Sequence, residues 1–217
     1  MAKKNEVVVE IRPLELKTAK CRIVGDTPLI VHAWGAKGMQ MMLDAQMGKT
    51  KGKAKPKRDP FDDFIESLYW IEGKPSVSTP EALEDAVRDG AKWGFPVTAI
   101  KQASNSAAYR LGWVKNQMEL RSAYFLQTEF GPLAEIRGSV PNMRQDVVRI
   151  GMGTADLRFR GEFEHWYIDF DIQYNAAGPI DFEQILNCIN AGGFACGIGE
   201  WRPEKDGDYG RYHVETI

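Results

Sequence analysis

The sequence is poor in the residues that carry most metal and redox chemistry. Only three cysteines and three histidines occur in 217 residues. Cys21, Cys188 and Cys196 form no CxxC pair and no Cys/His ligand spacing, which argues against a disulfide framework and a structural zinc site. Reduced, cytoplasmic conditions are the natural expectation for three such thiols. No run approaches the ~18 apolar residues of a membrane span, and Met1–Glu6 leads into no apolar signal segment, so a protein neither inserted nor secreted is expected. An excess of one charge is lacking too. The 28 basic and 30 acidic side chains leave a formal −2, so no global positive field gathers a polyanion and any nucleic-acid site must be local. HExxH, GxSxG, GxxxxGK[ST] and paired acidic motifs are missing, so no metal and no cofactor are expected.

What remains is an ordinary globular composition, 43% hydrophobic and 27% charged, in a length that suits one elaborated domain. Cys21 and Ile23 alternate with Lys20 and Arg22, as Val7, Val9 and Ile11 do with their neighbours, which is the period of a half-buried strand. Gly25-Asp26-Thr27-Pro28 breaks the run and Leu29-Ile30-Val31 resumes it. Residues 32–60, with Met39, Met41, Met42 and Met47 followed by a lysine run, read as a mobile insertion.

The spacing then predicts three helices. One starts at Asp59-Pro60 with Phe61, Phe64, Ile65 and Leu68 on one face; one starts at Thr79-Pro80; one spans about Thr98 to Leu111. Strand signals return at Tyr124–Phe130, Ala134–Val140, Val147–Ile150 and Leu157–Phe163. The clearest strand is Trp166–Tyr174, with Trp166, Ile168, Phe170, Ile172 and Tyr174 on one face. A helix follows with Asp181 as N-cap, Gln184 three residues on, and Gly192-Gly193 as its stop. A glycine-rich loop and a short strand over Arg211–Val214 close the chain.

Cations collect at four places. Five arginines and no lysine lie between Arg137 and Arg160. Arg158 and Arg160 alternate with Leu157 and Phe159, which puts both guanidinia on one face and the apolar pair, buried, on the other. Arg144 and Arg149 would sit in a hairpin over 141–156. Arginine pairs bidentately with phosphate and stacks on bases, although an exposed face of cross-strand Arg/Asp pairs is the alternative. The glycine-rich loop holds Gly197, Gly199, Gly207 and Gly210 with Arg202, Lys205 and Arg211. Loop amides can approach a phosphate where no Cβ intervenes, yet Glu200, Glu204, Asp206 and Asp208 make a solvated turn the competing reading. The basic run includes Lys53, Lys55, Lys57 and Arg58; such a run is either a solvated segment or a cover over an anionic strand. Lys101 and Arg110 on the third helix are a further candidate face. Trp34 and Trp201, in loops beside charged residues, suit stacking.

Strand, helix, glycine-rich loop and strand at the C-terminus, with a strand region at the N-terminus, read linearly as a ferredoxin-like β-α-β-β-α-β core. The loop from Gly197 to Arg211, ending Gly-Arg, resembles that of the RAMP superfamily, the ferredoxin-like RNA-binding proteins of CRISPR systems. The resemblance is strongest over residues 166–217. Within that superfamily it is most similar to the backbone subunit that coats guide RNA, because helical residues (about 36–120) follow the first strand and an arginine-bearing segment interrupts the later ones. This implies one RAMP-like domain over 1–217, sequence-independent binding of single-stranded RNA or DNA, no catalysis, and assembly as a homo-oligomer or filament along the strand. Some superfamily members are metal-independent endoribonucleases with a histidine after the first strand, which makes His32 the candidate for the alternative, enzymatic reading. A protein-interaction module on the same scaffold is the third.

Overall fold

Period-two alternation builds the main sheet. In β1 (Leu16–Gly25) Cys21 and Ile23 are buried, and β1 pairs antiparallel with β9 (Trp166–Asn175) from Leu16↔Asn175 to Val24↔Tyr167. Trp166, Ile168, Phe170 and Ile172 of β9 are buried in turn. The computed structural model describes residues 13–49, 57–150 and 153–215; Val7, Val9 and Ile11 of the first expected strand lie outside them.

Strand β10 (Tyr212–Glu215) lies on the free edge of β1. Strands β5 (Tyr124–Gln127) and β6 (Leu133–Gly138) follow one another along the far edge of β9. Beyond β6 come β4 (Lys92–Pro96) and β3 (Trp70–Glu72). The order is β10-β1-β9-β6-β4-β3 with β5 also on β9, every pairing antiparallel. With six α-helices among the described residues, the fold is mixed α+β.

Two helices connect strands across this sheet. Helix α4 (Val97–Arg110) comes before β5, and α6 (Phe182–Ala195) joins β9 to β10. They pack against each other, and α6 also against β10. The expected capping box forms on α6: the Asp181 carboxylate accepts from the Gln184 amide at 2.8 Å and Gln184 accepts in return.

The helix does not stop at Gly192-Gly193. These residues are buried inside it because a Cβ at Gly192 would meet the Ser104 backbone of α4 and one at Gly193 would overlap the Tyr212 carbonyl oxygen of β10. Glycines that read as a terminator are close-approach points between a helix and its two neighbours.

A second sheet, β2-β8-β7, stands beside the first. Strand β2 (Leu29–Val31) is wholly buried and pairs with β8 (Thr154–Phe163), which forms a long hairpin with β7 (Asn142–Ile150). Helix α2 (Pro60–Ser67) lies on β8, started by Asp59, whose carboxylate accepts from the Phe61 and Asp62 amides. Thr79 caps α3 (Pro80–Arg88) in the same way.

Other expectations are corrected. The middle of the chain is not only helical: Trp93 and Phe95 are buried and carry β4 into the sheet. Part of the expected insertion, Ala36–Gln46, is a helix, α1, with Met39, Met41 and Met42 exposed, and α5 (Gln117–Ala123) was not anticipated. Phe159 is buried as expected, but Leu157 is 41% exposed because β8 runs past the body of the protein there. All three cysteines are buried and free. Among the described residues no helix is long and apolar enough to cross a membrane.

Gly193→Ala is expected to lower stability by about 1–3 kcal/mol through overpacking, although alanine gains ~1 kcal/mol in helix propensity. A urea midpoint unchanged or raised would rule out the close approach of α6 to β10.

Candidate functional site

The loop after α6 folds back onto β2. The Glu200 amide donates to the Ile30 carbonyl at 2.9 Å and the Gly210 amide to that of Pro28 at 2.8 Å. Gly199 has φ +79°, and a Cβ there would overlap the Ile30 carbonyl oxygen. Only glycine lets the loop lie this close. Gly197 and Gly210 also have positive φ, and Gly207 lies against the Trp201 carbonyl.

The amides of Gly197, Ile198, Glu200, Gly207, Tyr209 and Gly210 all donate to carbonyls within the protein. The expected cradle of amides is thus largely spent on folding the loop itself. Its close approaches are to its own backbone at Trp201 and Ile198 and to that of Ile30 in β2.

The hairpin carries an ion-pair lattice. Register pairs Arg144 with Arg160 and Asp146 with Arg158, so these four side chains share a face, as the alternation required. Arg144 donates to Asp146 at 2.9 Å and to Glu162 at 2.8 Å. Arg158 pairs with Asp156 at 2.8 Å. Arg160, only 7% exposed, reaches Asp146 and Glu200 at 3.1 Å each. The last contact ties the hairpin to the glycine loop, and Arg144 adds a second tie with its guanidinium 4.5 Å from the Tyr209 ring centroid. Arg149 is on the opposite face of the hairpin, exposed and without an ion pair among the described residues. The local positive charge read from the arginines is therefore largely matched by carboxylates.

Three clefts meet at this junction. The first, about 220 Å³, runs between Trp34, Arg58 and Arg158 and ends at His32. The second, also about 220 Å³, begins at His32 and passes under Gly197–Gly199 to Glu200 and Arg202. The third, about 210 Å³, continues from Glu200 and Arg202 to Arg160, Trp201 and Lys205. His32 lines both the first and the second, and Glu200 and Arg202 both the second and the third. Trp34, 64% exposed, and Trp201, 39% exposed, stand in its two outer clefts.

His32 sits where the first two clefts join. Burial, reinforced by Arg160, lowers its pKa below 6.5, so the ring is neutral at pH 7. Its Nδ1 is sealed from solvent and has no hydrogen-bond partner among the described residues.

The other expected residues divide. Arg202 donates to Glu204 through Nε and Nη2 at 3.1 and 2.9 Å and to the Gly199 carbonyl at 3.0 Å. Arg110 reaches the same Glu204 at 3.1 Å. Arg58 bridges Asp63 and Asp156. Lys205 and Lys57 are exposed without ion pairs among the described residues. Lys101 is held away from the clefts, donating to the Tyr124 carbonyl at 2.5 Å beneath the Phe125 ring. Arg211 lies beside Thr27, its Nε buried. Lys53 and Lys55 lie outside the described residues. The sequence reading missed Tyr69 and Phe95, which wall the middle cleft; a single aromatic in a short strand or loop gives no pattern from which a wall could be foreseen.

No family model matches the chain, and no curated protein is significantly similar to it.

Two tests follow from the charges. Asp146→Ala leaves the buried Arg160 short of a counter-ion and should cost about 3 kcal/mol, whereas the double variant Asp146→Val/Arg160→Met should recover most of it in a urea titration. An NMR titration of the His32 ring should give a midpoint below 6.5. The unfolded chain then takes up this proton first, so the stabilisation is full above ~6.5 and is lost as pH falls through the folded value. His32→Gln should flatten that dependence.

Proposed function

We propose that the protein binds single-stranded nucleic acid without sequence preference, laying the phosphodiester chain across the three joined clefts. The observation that carries this reading is the run of Arg58, Arg158, Arg202 and Lys205 along the three clefts with an exposed tryptophan in each outer cleft. Cations spaced along a groove track a backbone, and aromatic faces stack any base. The partly exposed pairs, such as Arg158–Asp156 and Arg202–Glu204, are worth only ~0–1 kcal/mol each. A phosphate replaces either carboxylate at small cost.

The same reading takes the core as ferredoxin-like. The order β10-β1-β9-β5/β6, with α4 and α6 in its two crossovers, supports it, and with it the likeness to RAMP backbone subunits. The hairpin Asn142–Phe163 is its thumb-like projection. Assembly along the strand is part of the proposal: the exposed Met39, Met41, Met42 and Met47 on and just after α1 offer adaptable surface for a second copy. Three buried thiols, with Cys21 pushed up to about 12 and Cys188 to about 11 by burial, suit a reducing cytoplasm. One observation favours an enzymatic second reading, in which neutral His32 at the junction of two clefts acts as the base of a metal-independent endoribonuclease. RNA cut in EDTA by the protein but not by His32→Ala would select it.

Fluorescence anisotropy with labelled single-stranded RNA and DNA should show affinity falling by ~0.7 logarithmic units per phosphate contacted for each tenfold rise in salt. Lys205→Ala should reduce that slope by about one contact for every sequence tested. Binding absent at low salt, or present without a salt slope, removes the proposal.

A further inference from the structure

The middle cleft differs from its two neighbours. Tyr69 and Phe95, edge to face with centroids 5.9 Å apart, form an aromatic wall, and Pro96 and Ala99 extend it at the start of α4. The backbone of Gly197–Gly199 covers the other side without a Cβ at two of its three positions. Its volume, about 220 Å³, is room for roughly seven waters at about 30 Å³ each. That is too large for a single ion and below the range of drug-sized pockets.

Its lining charge separates it from the third cleft, where Arg160, Arg202 and Lys205 accompany Glu200, and not from the first, where Arg58 and Arg158 stand among Asp62, Asp63 and Glu66. Glu200, Glu204 and Arg202 line it, the two carboxylates already paired with Arg160, Arg110 and Arg202, and His32 is neutral, so no unpaired cation among the described residues lines it to receive a phosphate. The polar groups that remain are neutral. The exposed Gln102 amide offers donors and an acceptor in one plane, and burial, then Glu200, raises the Tyr69 pKa and keeps its phenol protonated.

We propose that this cleft is a nucleobase pocket, taking one unstacked purine or pyrimidine ring against Tyr69 and Phe95 with its polar edge toward Gln102. The phosphates on either side of that nucleotide lie outside, on Arg158 in the first cleft and Lys205 in the third. Rotation of the Gln102 amide exchanges donor and acceptor, so the pocket tolerates every base. As part of a strand the base rests on the binding function proposed above; a free nucleoside would enter by the same chemistry without it.

The test compares an ordinary labelled single strand with an abasic strand of the same length, on the wild-type protein, on Ala99→Leu, which fills the cleft without altering charge, and on Gln102→Ala, an exposed change with little risk to folding. The wild type is expected to prefer the ordinary strand, in part through Trp34 and Trp201, and both variants to lower that preference about tenfold with an unchanged salt slope. Equal affinity for both strands, or a preference undiminished in both variants, overturns the pocket while salt-dependent binding of either strand upholds the broader reading. Where neither strand binds, adenosine and cytidine are titrated alone. NMR shifts of the Gln102 side-chain amide that vanish in Ala99→Leu then support the pocket as a nucleoside site, and unshifted signals overturn it.

Discussion

The arrangement of cations depends on how closely the loop after α6 lies on β2. Gly199 sits where any side chain would collide with the Ile30 carbonyl, and the neighbouring Glu200 amide donates to that same oxygen. With the loop in that position the Glu200 carboxylate reaches Arg160 of the hairpin. A backbone contact with room for hydrogen alone thus brings together a strand, a hairpin and a loop far apart in the chain.

The ion pairs of this junction are of two kinds. Arg160 and Asp146 are each 7% exposed, so separating them leaves an uncompensated buried charge and costs several kcal/mol. Arg58, Arg158 and Arg202 are paired but partly exposed, where solvent keeps each pair near ~0–1 kcal/mol. The first kind anchors the hairpin. The second holds guanidinia in place while leaving them exchangeable, which reconciles a net charge of −2 with a surface able to meet a polyanion.

The scaffold behind the clefts is rigid for a related reason. Ala103 and Ser104 of α4 face Gly192 of α6, so the helices meet at backbone distance. Dense packing of this sort transmits displacement rather than absorbing it. Ala99 and Gln102, which line the middle cleft from α4, inherit that fixed position.

The local elements were legible because their causes are local. Asp59, Thr79 and Asp181 cap helices by bonding amides two or three residues on, and the alternation from Trp166 to Tyr174 sets its own face. Arg158 and Arg160 share a face for the same reason, and both tryptophans picked for stacking are exposed. The sequence by itself determined these, since each is settled within one or two turns of chain. Tertiary structure alone decided that Arg160 meets Asp146 and Glu200 and that Arg58 meets Asp156, that Gly192 and Gly193 serve packing and not termination, and that Tyr69 and Phe95 become the wall of a cleft. Those outcomes turn on groups that only folding brings together, as Arg58 and Asp156 are from 98 residues apart, or on how closely two backbones approach, and spacing along a chain carries no record of either.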